Sequence, residues 1–201
     1  MKTYLLDQLA FYGAYHNNRW NQLIHFIFVP SIMWSLCVWL SVSGPLFPLP
    51  ESLSNTSVGV TLTLYKGLTL QLVPNASCLL VVMYSLYYLS LEPVAGLTWM
   101  LIVGLPLWLT STAFYDQVAN AMYWALLVHV LSWYMQIHPG HALLEKRKPA
   151  LMDSLVQAVS LAPLFVWFEL LFLFGYRPEL QSQLKARVSA DIAAWRKKKS
   201  G

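Results

Sequence analysis

Five apolar runs, Leu23 to Val42, Ala76 to Leu91, Val94 to Thr112, Val118 to Ile137 and Leu155 to Phe174, limit what this chain can become. A helix needs about 20 predominantly apolar residues to cross the hydrocarbon core of a bilayer. Most of the runs approach that length, and Ala76 to Leu91 is short for it. The composition agrees, with 57% hydrophobic and 11% charged residues against roughly 45–50% and 25% in soluble domains. We read the fold class as all-α: a polytopic membrane helical bundle with four to five hydrophobic segments.

The punctuation between the runs gives the expected order. Residues 4 to 15 have helical spacing and are expected to form an amphipathic helix on the membrane surface. Asn17 or Asn18 offers an N-cap for the first span, and Pro30 a kink near its start. Ser43 to Asn75 reads as a loop with one interfacial segment. It holds two glycosylation sequons, at Asn55 and Asn75, which fit a lumenal loop in a eukaryotic protein. Glu92-Pro93 is a tight break that suggests a helical hairpin, and Pro139-Gly140 is where a helix should stop. The start, MKTYLLDQLAFYGAYHNN, carries an acid and several polar residues before any apolar core, so the first span is expected to act as its own insertion signal.

Counting spans from a cytosolic N-terminus places His16, His25, His138 and His141 on one side, with His129 within reach of it. The basic loop Lys146 to Lys148 falls on that side too, in keeping with the positive-inside tendency. A full final crossing would put the basic tail outside, so the last segment is expected to be re-entrant or tilted around Pro163. The tail, Arg196 to Lys199, is a solvated run or an attraction to anionic lipid. Its end, Lys198-Lys199-Ser200-Gly201, fits either a dilysine retrieval pattern or a plain basic tail. Nucleic acid is not an expected partner, since no basic face with interleaved aromatics accompanies the charge. Cys37 and Cys78, 41 positions apart in apolar runs, read as ordinary buried thiols.

Every histidine lies in one of two short windows, His16 and His25 in the first and His129, His138 and His141 in the second. Residues nine apart on an unbroken helix differ by about 900° and face opposite ways, so a break at Asn17-Asn18 is what lets His16 fold toward His25. Asn21 shares a face with His25. Glu145, four residues after His141, is placed on a helix to accept a ring N–H and fix the tautomer. An ionisable group inside a span costs about 2.5 kcal/mol or more unless it is partnered, which marks His129. Four imidazoles converging without cysteine suit iron, zinc or copper. Asp153, Gln157 and Glu169 fall close to one helical face, either lining a polar pocket or packing helices. HExxH, GxSxG, P-loop and GxGxxG motifs are absent. Five histidines are too few for the histidine boxes of membrane di-iron desaturases and hydroxylases.

The string FYGAYHNNRWNQLIHFIFVP, with Tyr12, His16, Asn21 and His25, resembles the opening signature of the 2-hydroxy-fatty-acid dioxygenase family. The longer string HVLSWYMQIHPGHALLEKRKPALMDSLVQAVSLAPLFVWFELLFLFGYRPEL resembles that family's second signature, and Tyr88 to Gly96 also fits. The similarity runs from about Leu6 to Leu180. It departs at His138-Pro139-Gly140, where His138 is set aside. The resemblance implies an Fe(2+) enzyme with His16, His25, His129 and His141 as metal ligands and Asn21, Glu145 and Arg147 in supporting or substrate roles. Lys146 is an alternative to Arg147 for the substrate carboxylate. It implies a 2-hydroxy fatty acid and O2 as substrates, membrane lipid as surroundings and an endoplasmic reticulum membrane location with the site toward the cytosol. Residues 1–180 would form a single membrane-embedded catalytic domain and 181–201 a basic C-terminal tail. A non-catalytic metal, haem or lipid scaffold and a zinc hydrolase are the alternatives.

Overall fold

The computed structural model describes residues 2–48, 57–62 and 68–200. The described chain is helical apart from one short hairpin. Helix α1 (Lys2–Gly13) leads through a turn to α2 (Arg19–Leu40). Strands β1 (Ser57–Leu62) and β2 (Leu68–Gln71) pair antiparallel, with Ser57 opposite Gln71 and Leu62 opposite Leu68. Then come α3 (Ala76–Leu91), α4 (Pro93–Gln117) and α5 (Ala121–Met135). A π-helical segment, Gln136–Glu145, continues from α5. Helices α6 (Leu155–Leu173) and α7 (Pro178–Ser200) complete the chain.

Local chemistry sets these boundaries. Asn18 caps α2, its Oδ1 accepting the Trp20 N–H at 2.9 Å, as an N-cap amide does for the second free N–H of a helix. At the α3–α4 break, Glu92 accepts the Ala95 N–H at 2.6 Å, while Pro93 occupies a position whose N–H would be unbonded anyway. The two helices then approach so closely that a Cβ at Gly96 would lie 2.4 Å from the Leu89 backbone nitrogen. This makes glycine a requirement of the hairpin.

Several expectations change on contact with the structure. The loop expected over Ser43 to Asn75 contains the hairpin, because Val58, Val60 and Leu62 alternate at the period of a strand, as do Leu68 and Leu70. Thr69 is tied down at both backbone groups by the Gln117 amide, at 2.8 and 2.6 Å. Pro139-Gly140 does not stop the chain's winding. It lies inside the π segment, which ends only where Lys146 takes a left-handed φ of 52°. Pro163 does not break α6. The Asn75 side chain is buried, donating to Thr112 Oγ1 at 2.9 Å and accepting the Cys78 N–H at 3.0 Å, so it caps α3 and leaves no room for a glycan. Asn55 lies outside the described residues. Residues expected as a basic tail form α7, which packs on α1; Arg187 sits 3.5 Å from Asp7 and 3.4 Å from Asp191.

Two described helices, Arg19–Ser43 and Pro93–Gln117, are long and apolar enough to cross a membrane, and two apolar helices, Ala76–Leu91 and Ala158–Leu173, are shorter. The chain divides into two compact units. One contains residues up to Val29, Leu91–Ala95 and everything from Tyr134 on; its core includes Ala14, Tyr15, Ala150 and Ala158, with Phe11, Leu151 and Ile192 against them. The other spans Pro30–Ser90 and Gly96–Trp133, with Val38, Ala121 and Ala125 enclosed by Trp34, Trp39 and Phe114. Cys37 and Cys78 are both free thiols within it, Cys37 buried as expected and Cys78 only half-buried.

Candidate metal centre

The first unit gathers three histidines. His16 sits in the turn after α1, His25 two turns into α2, and His141 on the π segment; their side chains are 2%, 3% and 3% exposed. The rings stand nearly edge-on to one another, with centroids 4.3 Å apart for His16 and His25, 4.8 Å for His16 and His141, and 5.1 Å for His25 and His141. One nitrogen from each lies within 4.8 Å of the others. Among the described residues this is the cluster of metal-ligating side chains.

The protonation pattern can be read from the backbone. His16 Nδ1 lies 2.8 Å from the Tyr12 carbonyl and His25 Nδ1 2.9 Å from the Asn21 carbonyl. A carbonyl oxygen only accepts, so each Nδ1 carries a hydrogen and, in a neutral ring, each Nε2 carries a bare lone pair. Yet these two Nε2 atoms face each other at 3.1 Å. Between neutral rings that contact is two lone pairs with nothing between them, not a hydrogen bond. A proton there would make an imidazolium, which the site disfavours: burial, then the neighbouring His25 and His141, hold His16 well below the usual histidine range. A cation is the remaining complement. Imidazole nitrogens sit about 2.0–2.1 Å from a bound divalent ion such as zinc, so nitrogens 3.1 Å apart can share one ion. His141 adds a third donor. Its Nδ1 is buried without a hydrogen-bond partner among the described residues, and burial, with Arg147 next in effect, pushes its pKa down to about 4. The residues fit a metal ion.

The surroundings hold the rings in place. Tyr12 stacks on His16 with centroids 4.1 Å apart and planes 4° from parallel, and Phe165 of α6 covers Tyr12 at 4.7 Å. Glu145 does not orient an imidazole as the spacing suggested. Its Oε1 accepts the Asn18 N–H at 2.7 Å and the Asn21 amide at 3.1 Å, tying the end of the π segment to the start of α2. A carboxylate at a helix N-terminus is stabilised by the unpaired N–H groups there. Asn21 is wholly buried, and a Cβ on Gly140 would meet its Oδ1 at 2.5 Å. The widened turns around Pro139 thus press the backbone against Asn21, which only glycine permits.

Arg147 is engaged by the protein itself. Its guanidinium lies over the Tyr15 ring at 3.8 Å and the Trp195 ring at 4.8 Å, and donates to the Ala14 carbonyl at 2.8 Å. It clamps the turn that presents His16. Asp153 accepts from Tyr15 and Lys148. His129 belongs to the other unit, and both its nitrogens are spoken for. Ser35 Oγ donates to the Ile32 carbonyl and lies 2.9 Å from His129 Nδ1, so Nδ1–H is the donor of that pair. Nε2 accepts the Trp133 indole N–H at 3.0 Å. That is a neutral, fully paired histidine. His138 is exposed and stacks on Tyr134 at 5.5 Å. Tyr12, Gly140 and Phe165 were not among the site residues read from sequence; for Gly140 the only signal was its place beside a proline in the second window.

The family described as 2-hydroxy-palmitic acid dioxygenase Mpo1-like matches residues 3–174. The chain is 34% identical over 183 residues to the 2-hydroxy-palmitic acid dioxygenase MPO1 of Saccharomyces cerevisiae, covering 90% of this chain and 87% of the yeast protein. No solved structure matches the chain.

Proposed function

Because the chain belongs to the Mpo1-like family of 2-hydroxy-palmitic acid dioxygenases, and is thereby a dioxygenase, we propose that it converts a 2-hydroxy fatty acid to the fatty acid one carbon shorter. In this reading His16, His25 and His141 hold a single Fe(2+). The observation that carries it is the pair of bare Nε2 lone pairs facing each other at 3.1 Å in a buried site. The overall change balances without an external reductant. A 2-hydroxy acid and O2 give the shortened acid, CO2 and water, the substrate supplying all four electrons that O2 takes up.

Bound iron(II) supplies redox chemistry with O2 and a Lewis-acid seat for the hydroxy acid. The chain's own part is to present that ion with three neutral imidazoles, which leave further coordination positions for ligands. Neutrality is enforced locally, by backbone carbonyls that fix Nδ1–H on His16 and His25 and by burial. His129 is outside the ligand set in this proposal, since Ser35 and Trp133 occupy its nitrogens. Asn21 and Glu145 act by joining the two histidine windows, and Arg147 by bracing the His16 turn.

A membrane setting is supported by the two long apolar helices and by exposed apolar side chains along neighbouring stretches, such as Leu79, Met83 and Leu86 on α3 and Leu127 and Val130 on α5. Lipid would cover such surface where water would be costly. The site would then lie at the cytosolic face of the endoplasmic reticulum membrane, beside the basic residues Lys146 to Lys148. The test is product analysis with 2-hydroxypalmitate on anaerobically iron-loaded protein. We expect a fifteen-carbon acid formed with one O2 consumed per CO2 released, and no product after chelation. Product formation that survives chelation, or zinc as the metal supporting it, would exclude the proposal.

A further inference from the structure

The first unit also carries a basic surface that the metal centre does not use. Arg147 joins two distant stretches of chain, its guanidinium standing 4.8 Å from the Trp195 ring near the end of α7. Ala150 and Ala158 belong to one small core, with Leu151 and Ile192 packed against it. The chain from Lys146 to the first turns of α6 therefore lies alongside the last turns of α7. Lys146, Lys148, Arg196, Lys197 and Lys198 are all exposed there, and Lys198, three residues after Trp195, shares its helix face. The acids of the two stretches are engaged: Asp153 with Lys148 and Tyr15, Glu145 with Asn18 and Asn21, Asp191 with Arg187. With Arg147, six cations stand against three acids, so this surface holds most of the chain's formal net charge of +4.

Beside these cations the chain turns apolar side chains outward. Met152, Leu155 and Val156 are 69%, 61% and 79% exposed. Leu155, Val156 and Val159 share one face of α6, opposite the buried Leu161 and Leu164. A contiguous apolar patch rimmed by charge marks an interaction surface. An acidic protein or a nucleic acid would match the cations and leave the apolar side chains without a complement, and a zwitterionic bilayer would do the reverse. A bilayer bearing anionic phospholipid answers both, the acyl boundary taking the apolar side chains and the headgroups attracting Lys and Arg. We propose that this surface seats on the anionic headgroups of a bilayer, with Met152, Leu155 and Val156 entering the acyl boundary. The proposal rests on the membrane setting given above and goes beyond it by naming the lipid class and the residues that select it. Seated in this way, the His16 turn, braced by Arg147, lies near the level at which a membrane-dissolved fatty acid carries its carboxylate.

The experiment places the full chain in phosphatidylcholine bilayers containing a trace of spin-labelled phosphatidylserine or spin-labelled phosphatidylcholine. Electron spin resonance then measures how much of each label the protein immobilises. We expect wild type to favour phosphatidylserine about 2-fold or more at low salt, since each Lys or Arg near the surface adds attraction to anionic lipid. The preference should vanish at about 1 M salt, where the screening length falls to about 3 Å. Lys146→Gln, Arg196→Gln and Lys198→Gln combined should remove most of it, while Lys146→Arg with Lys198→Arg should keep it. Val156→Glu puts an anion in the middle of the apolar patch and should lower it too; being an exposed change, it carries the test if the triple variant does not fold. Equal immobilisation of the two lipids by wild type overturns the proposal and leaves the cations for an acidic protein or a nucleic acid. A preference that survives both the triple variant and Val156→Glu overturns it as well. If neither lipid is immobilised, the membrane setting itself has failed, and the proposal with it.

Discussion

His25→Leu is expected to leave the protein without iron and to lower turnover of 2-hydroxypalmitate by more than about 100-fold, beyond the 10–100-fold that changes around a metal's ligands cost. His25 supplies one of the two Nε2 atoms that face each other across 3.1 Å, so its removal deletes an edge of the site. The same change should not destabilise the metal-free protein. In that state the two rings repel, and replacing a strained buried polar group by an apolar one of similar size is often neutral or stabilising. Metal analysis, turnover and thermal unfolding of metal-free and metal-loaded samples check this. A large fall in stability of the metal-free variant would show that His25 is a packing residue first.

Gly140→Ala is expected to weaken iron binding about 10–100-fold and to lower the melting temperature, by about 2–4 °C for each kcal/mol in a chain of this size. The added Cβ would lie 2.5 Å from Asn21 Oδ1, and overpacking a tight contact typically costs about 1–3 kcal/mol. Asn21 has little freedom to yield. Its amide bonds to Glu145, and its backbone carbonyl fixes the His25 tautomer. Shifting it therefore moves a ligand. In an Asn21→Ala background the clashing oxygen is gone, so Gly140→Ala should cost less there. Additive losses in that double-mutant cycle would place the effect elsewhere.

The limits of the sequence reading lie in particular residues. His16, His25 and Asn21 were legible because a break after α1 is the only way to turn residues nine apart toward each other, and Asn18 does make that break. His141 and His129 were harder to separate. Both fall in one window, and helical spacing assumes turns of 3.6 residues. The chain instead winds in wider turns through Pro139, which no propensity scale would favour, since proline normally ends a helix. That change of pitch brings His141 to His16 and His25 and leaves His129 among Ser35, Trp39 and Trp133. Charged residues misled for a related reason. Glu145 and Arg147 stand four and six positions after His141, yet a left-handed Lys146 turns the chain and sends them to Asn18, Ala14 and Tyr15. Asp153 and Glu169, read as neighbours on one face, serve different places: Asp153 pairs with Tyr15 and Lys148, while Glu169 lies among the residues beside His16 and His25. Among the apolar runs, helical character was evident throughout, whereas the paired strands Ser57–Leu62 and Leu68–Gln71 were hidden by weak hydropathy and by Gly59.

The most direct measurement is an anaerobic Fe(2+) titration, with bound iron per chain determined for wild type, His16→Ala, His141→Ala and His129→Gln. Three buried imidazoles as the ligand set predict one iron in wild type and in His129→Gln, and none held tightly in the other two. Iron lost with His129→Gln but retained by His16→Ala or His141→Ala would contradict the account.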